Sequence, residues 1–283
     1  MNLLSGLEKF GISADGDLDI TKEDKGQNAR GGNKAGAAQK QLTEADFLLD
    51  KVVTCPVCDQ KFHTLVVKTG KAKHLESDPD LRPHFEGVDT LKYDAVACPF
   101  CGYSAMQRDF VHLSTTQIKW IKAGVSSKFK PVPQKPKKSY TYDEAVDRLK
   151  LALVSTMVKK GKMSEKSYIC LKIAWLRRTQ YESAPDSTPE EKKKREQIRQ
   201  EWDGFYRQAY DGFTKAVETE MPPYCGMDAN TVDFMIANMA MYFKDYAVAA
   251  KLVSRLLTSP NSGQRVKDKC LDLKDQIIAE QKK

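Results

Sequence analysis

The sequence predicts an α+β protein that is mostly α, with a small β module ahead of a long helical region. Three observations carry this expectation. Four of the seven cysteines stand in two C-P-x-C pairs beside short β-type runs. After Ser139, apolar residues recur with the 3.6-residue period of helices. Between the two regions, residues 111–140 hold seven lysines and no acid, which accounts for nearly all of the formal net charge of +8. The basic excess therefore belongs to a connecting stretch and not to a domain face. A chain of 283 residues can supply two modest domains, and 41% hydrophobic with 30% charged residues suits one that is part folded and part tail.

Residues 1–45 read as a largely disordered N-terminal segment of polar and small residues, with Gly31-Gly32 and the run NKAGAAQKQ. Leu3, Leu4, Leu7 and Phe10 are the exception, forming the apolar face of a short helix. Two readings of that face stand: a weakly ordered terminus, or an element that docks on a partner or a membrane surface. No apolar run approaches the roughly 18 residues that span a bilayer. Glu8 and Lys9 interrupt the apolar core a signal peptide needs. The expected location is cytoplasmic, without a membrane span.

Residues 46–123 hold the runs VVTC, KFHTLVVKTG and LKYDAVAC, read as small antiparallel strands around a metal, then a helix from Gln117 to Ala123 that Gly124 stops. Residues 124–139 form a basic linker in which Pro131, Pro133 and Pro136 favour an extended, semi-rigid course. The helical domain occupies 140–283. Thr141 to Glu144 is a capping box opening a helix with Ala145, Leu149, Ala152, Leu153 and Met157 on one face, ended by Gly161. A second helix runs from about Ser164 to Thr179. Thr188-Pro189-Glu190-Glu191 supplies the N-cap, first-turn proline and acids of a third. That helix carries Ile198, Trp202, Phe205, Tyr206, Ala209, Phe213 and Val217 as far as Pro222-Pro223. Two tightly joined helices follow, Asp228 to about Phe243 and Tyr246 to about Leu257. A last one presents Val266, Cys270, Leu273 and Ile277. Tightly joined helix pairs with small contact residues suggest an α-solenoid fragment, and a plain bundle has the same pattern.

The knuckles Cys55-Pro-Val-Cys58 and Cys98-Pro-Phe-Cys101 carry the chemistry. Two residues between ligands let a tight turn aim both sulfurs at one point, and two such turns complete the tetrahedral thiolate set that zinc accepts. The residue after each second cysteine needs a left-handed backbone, which Gly102 adopts freely and Asp59 tolerates. The module is therefore zinc-ribbon-like, with Cys55, Cys58, Cys98 and Cys101 as ligands of a structural Zn2+. Iron fits the same knuckles. Disulfides suit an oxidising compartment, and a free redox dithiol needs one unmatched pair. The 39 residues between knuckles exceed the usual ribbon spacing of about 15–20, so the stretch His63 to Tyr93 contains an inserted loop. His63, His74 and His84 lie there at irregular spacing, as exposed or loop-packing residues or as a second site. Cys170 and Cys270 read as small core residues, and Cys225 as the accessible thiol.

The runs VVTCPVCDQKFHTLVVKTG and DPDLRPHFEGVDTLKYDAVACPFCGYSA resemble the bacterial domain-of-unknown-function family 2225, from about Val52 into the last helix. Cys98, Cys101, Gly102, Tyr103 and Ala105 match its pattern, whereas Asp59 stands where glycine is commoner. SYICLKIAWLRR also looks familial. The resemblance implies a Cys-pair zinc module followed by an α-helical tetratricopeptide-like domain. Ala237, Ala240, Tyr246, Ala249 and Pro260 fall near the small, aromatic and proline positions of that repeat, though its bulky Trp and Gly are missing. The family brings no known activity.

These readings lead to a non-enzymatic adaptor that binds another protein through a helical-repeat surface. The alternative is nucleic-acid binding through the zinc module and the Lys-rich linker, with Trp120, Phe129, Tyr140 and Tyr142 stacking on bases. A third class is an enzyme built on the inserted loop and its histidines.

Overall fold

The computed structural model describes residues 42–282. Residues 1–41, with the Leu3/Leu7/Phe10 face, lie outside the described residues. Thr43 closes a capping box with Asp46 over a short 3-10 turn, Glu44–Phe47. Residues 42–45, assigned to the tail by composition, are thus structured, and the Glu44 carboxylate takes Lys92 at 2.7 Å and the Tyr93 hydroxyl at 3.0 Å.

Two separate two-stranded antiparallel sheets follow. β1 (Leu48–Thr54) pairs with β2 (Lys61–Val67), Leu48 opposite Val67 and Thr54 opposite Lys61. β3 (Ala95–Ala97) pairs with β4 (Ser104–Met106), Val96 opposite Ala105. Both hairpins are closed by a cysteine knuckle, which therefore sits at a hairpin tip. The inserted loop between β2 and β3 folds back on itself through a bridge between His74 and Phe85.

The helix after the module differs from the sequence expectation. α1 (Thr115–Ile121) starts from a Ser114/Gln117 capping box and runs on through a π turn, Lys122–Ser126, so Gly124 does not stop it. A Cβ at Gly124 would come within 2.9 Å of Val158, so the glycine serves close helix approach and not termination. The basic stretch then returns along the module. Phe129 lies over Gly102, and the Val132 N–H donates to the Pro99 carbonyl at 2.9 Å.

The helices are α2 (Tyr142–Val158), α3 (Met163–Ser183), α4 (Pro189–Thr219), α5 (Ala229–Tyr242), α6 (Tyr246–Thr258) and α7 (Gln264–Gln281). The capping boxes at Thr141 and Thr188 form as the sequence predicts. Consecutive helices pack on one another from α2 to α7. Two details depart from the prediction. The predicted α2 face holds at Ala145, Leu149, Ala152 and half-buried Leu153 but not in the last turn, where Ser155 and Thr156 are buried while Met157 is 59% exposed. The left-handed residue ending α2 is Lys160 at φ 56°, with Gly161 following and donating to Thr156 at 2.8 Å. Lys244, at φ 61°, ends α5 the same way.

From Leu42 on, the chain forms one compact unit. Leu91, Ala95 and Met106 of the β region belong to the same apolar core as the helices. Arg148 of α2 ties the two sheets to it: its guanidinium donates to the Thr64 hydroxyl at 2.8 Å on β2 and to the Ala95 carbonyl at 3.3 Å on β3. The inserted loop docks on α3 through charge. Asp80, 5% exposed, accepts from Trp175 Nε1 at 2.9 Å, the Tyr206 hydroxyl at 3.1 Å and Arg178 at 3.2 Å. Asp78 takes Arg178 at 2.7 Å and His84 at 2.7 Å, and Arg82 reaches Glu182 at 2.9 Å. Leu81, between Asp80 and Arg82, adopts φ 69° and packs against the helical core.

Removing one partner from a buried charge network strands the others, at about 3–5 kcal/mol. Asp80→Ala will therefore lower the stability of the chain by that order in chemical denaturation, with Trp175 fluorescence reporting the lost contact. Burial opposes ionisation of Asp78, but the hydrogen bond from His84 and the charges of Arg82 and Arg178 outweigh it and hold its pKa low. A carboxyl with a depressed folded pKa contributes stability above its unfolded value of about 3.9 and loses it as the pH falls further. In acid titrations, Asp78→Asn will be less stable than the wild type at neutral pH, and the gap will close below about pH 4.

Candidate metal centre

Both knuckles are held by the same backbone pattern. The Cys55 N–H donates to the Gln60 carbonyl at 3.0 Å and the Asp59 N–H to the Cys55 carbonyl at 2.9 Å. In the second, Cys98 donates to Tyr103 at 2.8 Å and Gly102 to Cys98 at 3.0 Å. Asp59 at φ 59° and Gly102 at φ 74° take the left-handed positions that the sequence assigns them. Only glycine serves in the second knuckle. A Cβ there would stand 2.4 Å from the Phe129 ring, so the close approach of the returning chain is a second demand on Gly102.

The four sulfurs converge. Cys55 Sγ lies 3.6 Å from Cys101 Sγ and Cys58 Sγ 3.6 Å from Cys98 Sγ, and all four lie within 4.8 Å of one another. Sulfurs placed about 2.3 Å from a central ion at tetrahedral corners are about 3.8 Å apart. The set therefore fits an ion held by four thiolates. Taken as thiols, the group is frustrated: hydrogen bonds from Cys101 and Cys55 hold Cys98 low, while contacts with Cys101 and Cys98, then burial, push Cys55 far up. A divalent cation would favour all four thiolates at once. Backbone N–H groups of Val57 and Cys58, and of Phe100 and Cys101, also favour the thiolates of Cys55 and Cys98. Cys55, Cys98 and Cys101 are buried and Cys58 is half-exposed. Around them Phe62, Tyr103 and Phe110 form an aromatic shell, with Tyr103 stacked on Phe110 at 4.9 Å and donating to its carbonyl at 2.9 Å. Ile121 and Val125, from the helix that Gly124 does not stop, close the same cluster.

The three histidines, His63 on β2 and His74 and His84 in the inserted loop, do not meet. His63 pairs with Asp50 at 2.9 Å, His74 contacts Ser77 at 3.1 Å and sits edge-on to Phe85, and His84 pairs with Asp78. His84 lines a cleft of about 330 Å³ with Glu44, Asp89, Lys92 and Tyr142, where burial raises the Asp89 carboxyl. Cys170 and Cys270 are buried among helices. Cys225 is half-buried, and burial pushes its thiol up to about 11. The sequence reading missed Arg148 and Asp80, and it gave Phe129 a base-stacking role where the structure lays it over Gly102. Each acts through residues far away in the chain.

Fold and site together define the class: a mostly helical α+β protein whose small β hairpins bring four cysteines into a cluster able to hold a metal ion. The family described as "uncharacterized protein conserved in bacteria (DUF2225)" matches residues 48–277, and the chain belongs to it. No curated protein and no solved structure matches the chain.

A structural zinc contributes on the order of 10–16 kcal/mol to a small module. Cys98→Ser will accordingly lower bound metal and abolish cooperative unfolding of the hairpins, followed by thiol titration and circular dichroism. Cys170→Ser, in the helical core, will leave metal content unchanged.

Proposed function

We propose that the chain is a non-enzymatic adaptor, stabilised by a structural zinc ion in its cysteine module, that binds another protein through the tetratricopeptide-like surface of its helices. The supporting observation is a row of aromatic rings and guanidinium groups along α3, α4 and α5. Tyr181 lies 5.9 Å from Trp202 and Trp202 5.7 Å from Tyr242. Arg195 stacks on Tyr181 at 4.4 Å, Arg178 lies over Trp202 at 5.9 Å, and Arg207 covers Phe243 at 3.6 Å. Tyr242 is 41% exposed, and Trp202 and Tyr181 are half-buried. Trp, Tyr and Arg are the residues that dominate binding energy at protein interfaces, because rigid rings bury large area at low entropic cost. A cysteine cluster with all four corners provided by the chain offers an ion no open position for water, so its role is to hold the hairpins.

Lys119, Lys122, Lys128, Lys130, Lys135 and Lys138 are exposed, which favours the nucleic-acid reading. Its stacking platform is weaker. Tyr140 is buried against Tyr93, Phe129 covers Gly102, and Tyr142 lines the cleft; Trp120 alone of the four is exposed, at 37%.

The full chain, immobilised with its metal retained, will capture at least one bacterial protein that Trp202→Ala/Tyr242→Ala loses, with a deficit of about 2 kcal/mol or more. Circular dichroism of the pair variant controls for folding. No protein retained above a blank column contradicts the reading.

A further inference from the structure

The hydrogen-bonding parity of β1 can be read from its ends. The Lys68 N–H donates to the Phe47 carbonyl at 2.8 Å, and the Cys55 N–H donates to the Gln60 carbonyl at 3.0 Å. Both pairs extend the register that sets Leu48 against Val67 and Thr54 against Lys61. Bonded pairs alternate in an antiparallel ladder. Leu49, Lys51 and Val53 therefore bond to β2, while the N–H and C=O groups of Asp50, Val52 and Thr54 point to the opposite edge.

β2 checks this parity. Its outward groups at His63 are bonded to the Gln134 amide, N–H to Oε1 at 3.2 Å and Nε2 to the carbonyl at 2.8 Å, and the Leu65 N–H donates to Tyr140 at 3.0 Å. The returning linker thus seals the β2 edge. Among the described residues, no strand or side chain seals the β1 edge. It is also open to solvent, with Leu49 51% and Val52 54% exposed.

We infer that β1 accepts an extended segment of a partner protein as an added strand, an inference that deepens the adaptor reading by giving it a second point of attachment. Main-chain bonds supply affinity in this mode, and alternate side chains supply selectivity. The side chains set the chemistry of the guest. On the face shared with buried Phe62 and Val66, Leu49 and Val53 ask for apolar residues and Lys51 between them for an acid. On the other face, Asp50, already paired with His63 but with its side chain 58% exposed, also has room for a cation, and Val52 asks for a β-branched residue. A second copy of the chain fits poorly. In-phase pairing about a two-fold axis centres on Lys51, setting two lysines face to face, or on Val52, opposing Asp50 to Thr54 and Lys51 to Val53 without any charge match. Seven residues are also far fewer than the roughly 20–30 per side of a stable dimer interface.

The test titrates the isotope-labelled full chain, metal retained, with the capped peptide Thr-Ile-Val-Glu-Lys-Ile-Thr, written antiparallel to β1. The expected result is amide shifts centred on Asp50, Val52 and Thr54. N-methylation of the peptide's valine, whose N–H would face β1, should weaken binding about tenfold, the effect of one lost hydrogen bond. N-methylation of its glutamate, whose N–H points away, should leave binding unchanged. Exchanging its glutamate and lysine should also weaken binding. Equal effects of the two methylations, shifts centred elsewhere, no binding at millimolar peptide, or self-association through β1 would each overturn the inference. Since the readout is β1 amides with a synthetic strand, its failure is distinct from failure of the helical-surface reading, which the Trp202/Tyr242 pair decides.

Discussion

The convergence of four sulfurs is the constraint on which the β region depends. Its two sheets have two strands each and share no ladder, and an isolated two-stranded hairpin is marginal in water. Besides Arg148, what relates them is the meeting of their tips, where Cys55 and Cys58 face Cys98 and Cys101 across a few ångströms. The knuckle turns place the sulfurs, the left-handed residues Asp59 and Gly102 let each turn close, and the aromatic shell of Phe62, Tyr103 and Phe110 excludes water from one side. A bound cation would turn four competing thiols into one cross-link between segments about 40 residues apart.

The remainder of the β region is secured to the helices by polar groups as much as by apolar ones. Arg148 reaches both hairpins from a single position on α2, and Asp80 gathers an indole, a phenol and a guanidinium from two helices. Such networks are costly to break, because removing one member strands the buried groups it serves. They also explain why the basic stretch is not an isolated tether: Phe129, Val132 and Gln134 bind it back onto the second knuckle and the β2 edge.

Local rules made much of this legible in the sequence. The cysteine spacing, the left-handed residues after each pair and the capping boxes at Thr141 and Thr188 are short-range chemistry, and each appears where the residues place it. The failures have a common cause. Gly124 looks like a helix stop by propensity, but packing decides, and it admits Val158; α2 does end before Gly161, though Lys160 takes the left-handed position there. Met157 has the helical phase of a core residue, yet it is exposed in the last turn of α2, where Ser155 is the buried residue and accepts from the Ser104 N–H. The free edge of β1 is likewise a property of pairing, which composition alone does not reveal.

X-ray absorption spectroscopy with elemental analysis, on full-length chain purified without chelator, tests the central claim most directly. The account predicts one zinc ion per chain, or iron in its place, in a shell of four sulfurs, at about 2.3 Å for zinc. Material that is folded and carries neither metal, or an ion bound through nitrogen and oxygen in place of the four cysteines, would contradict it.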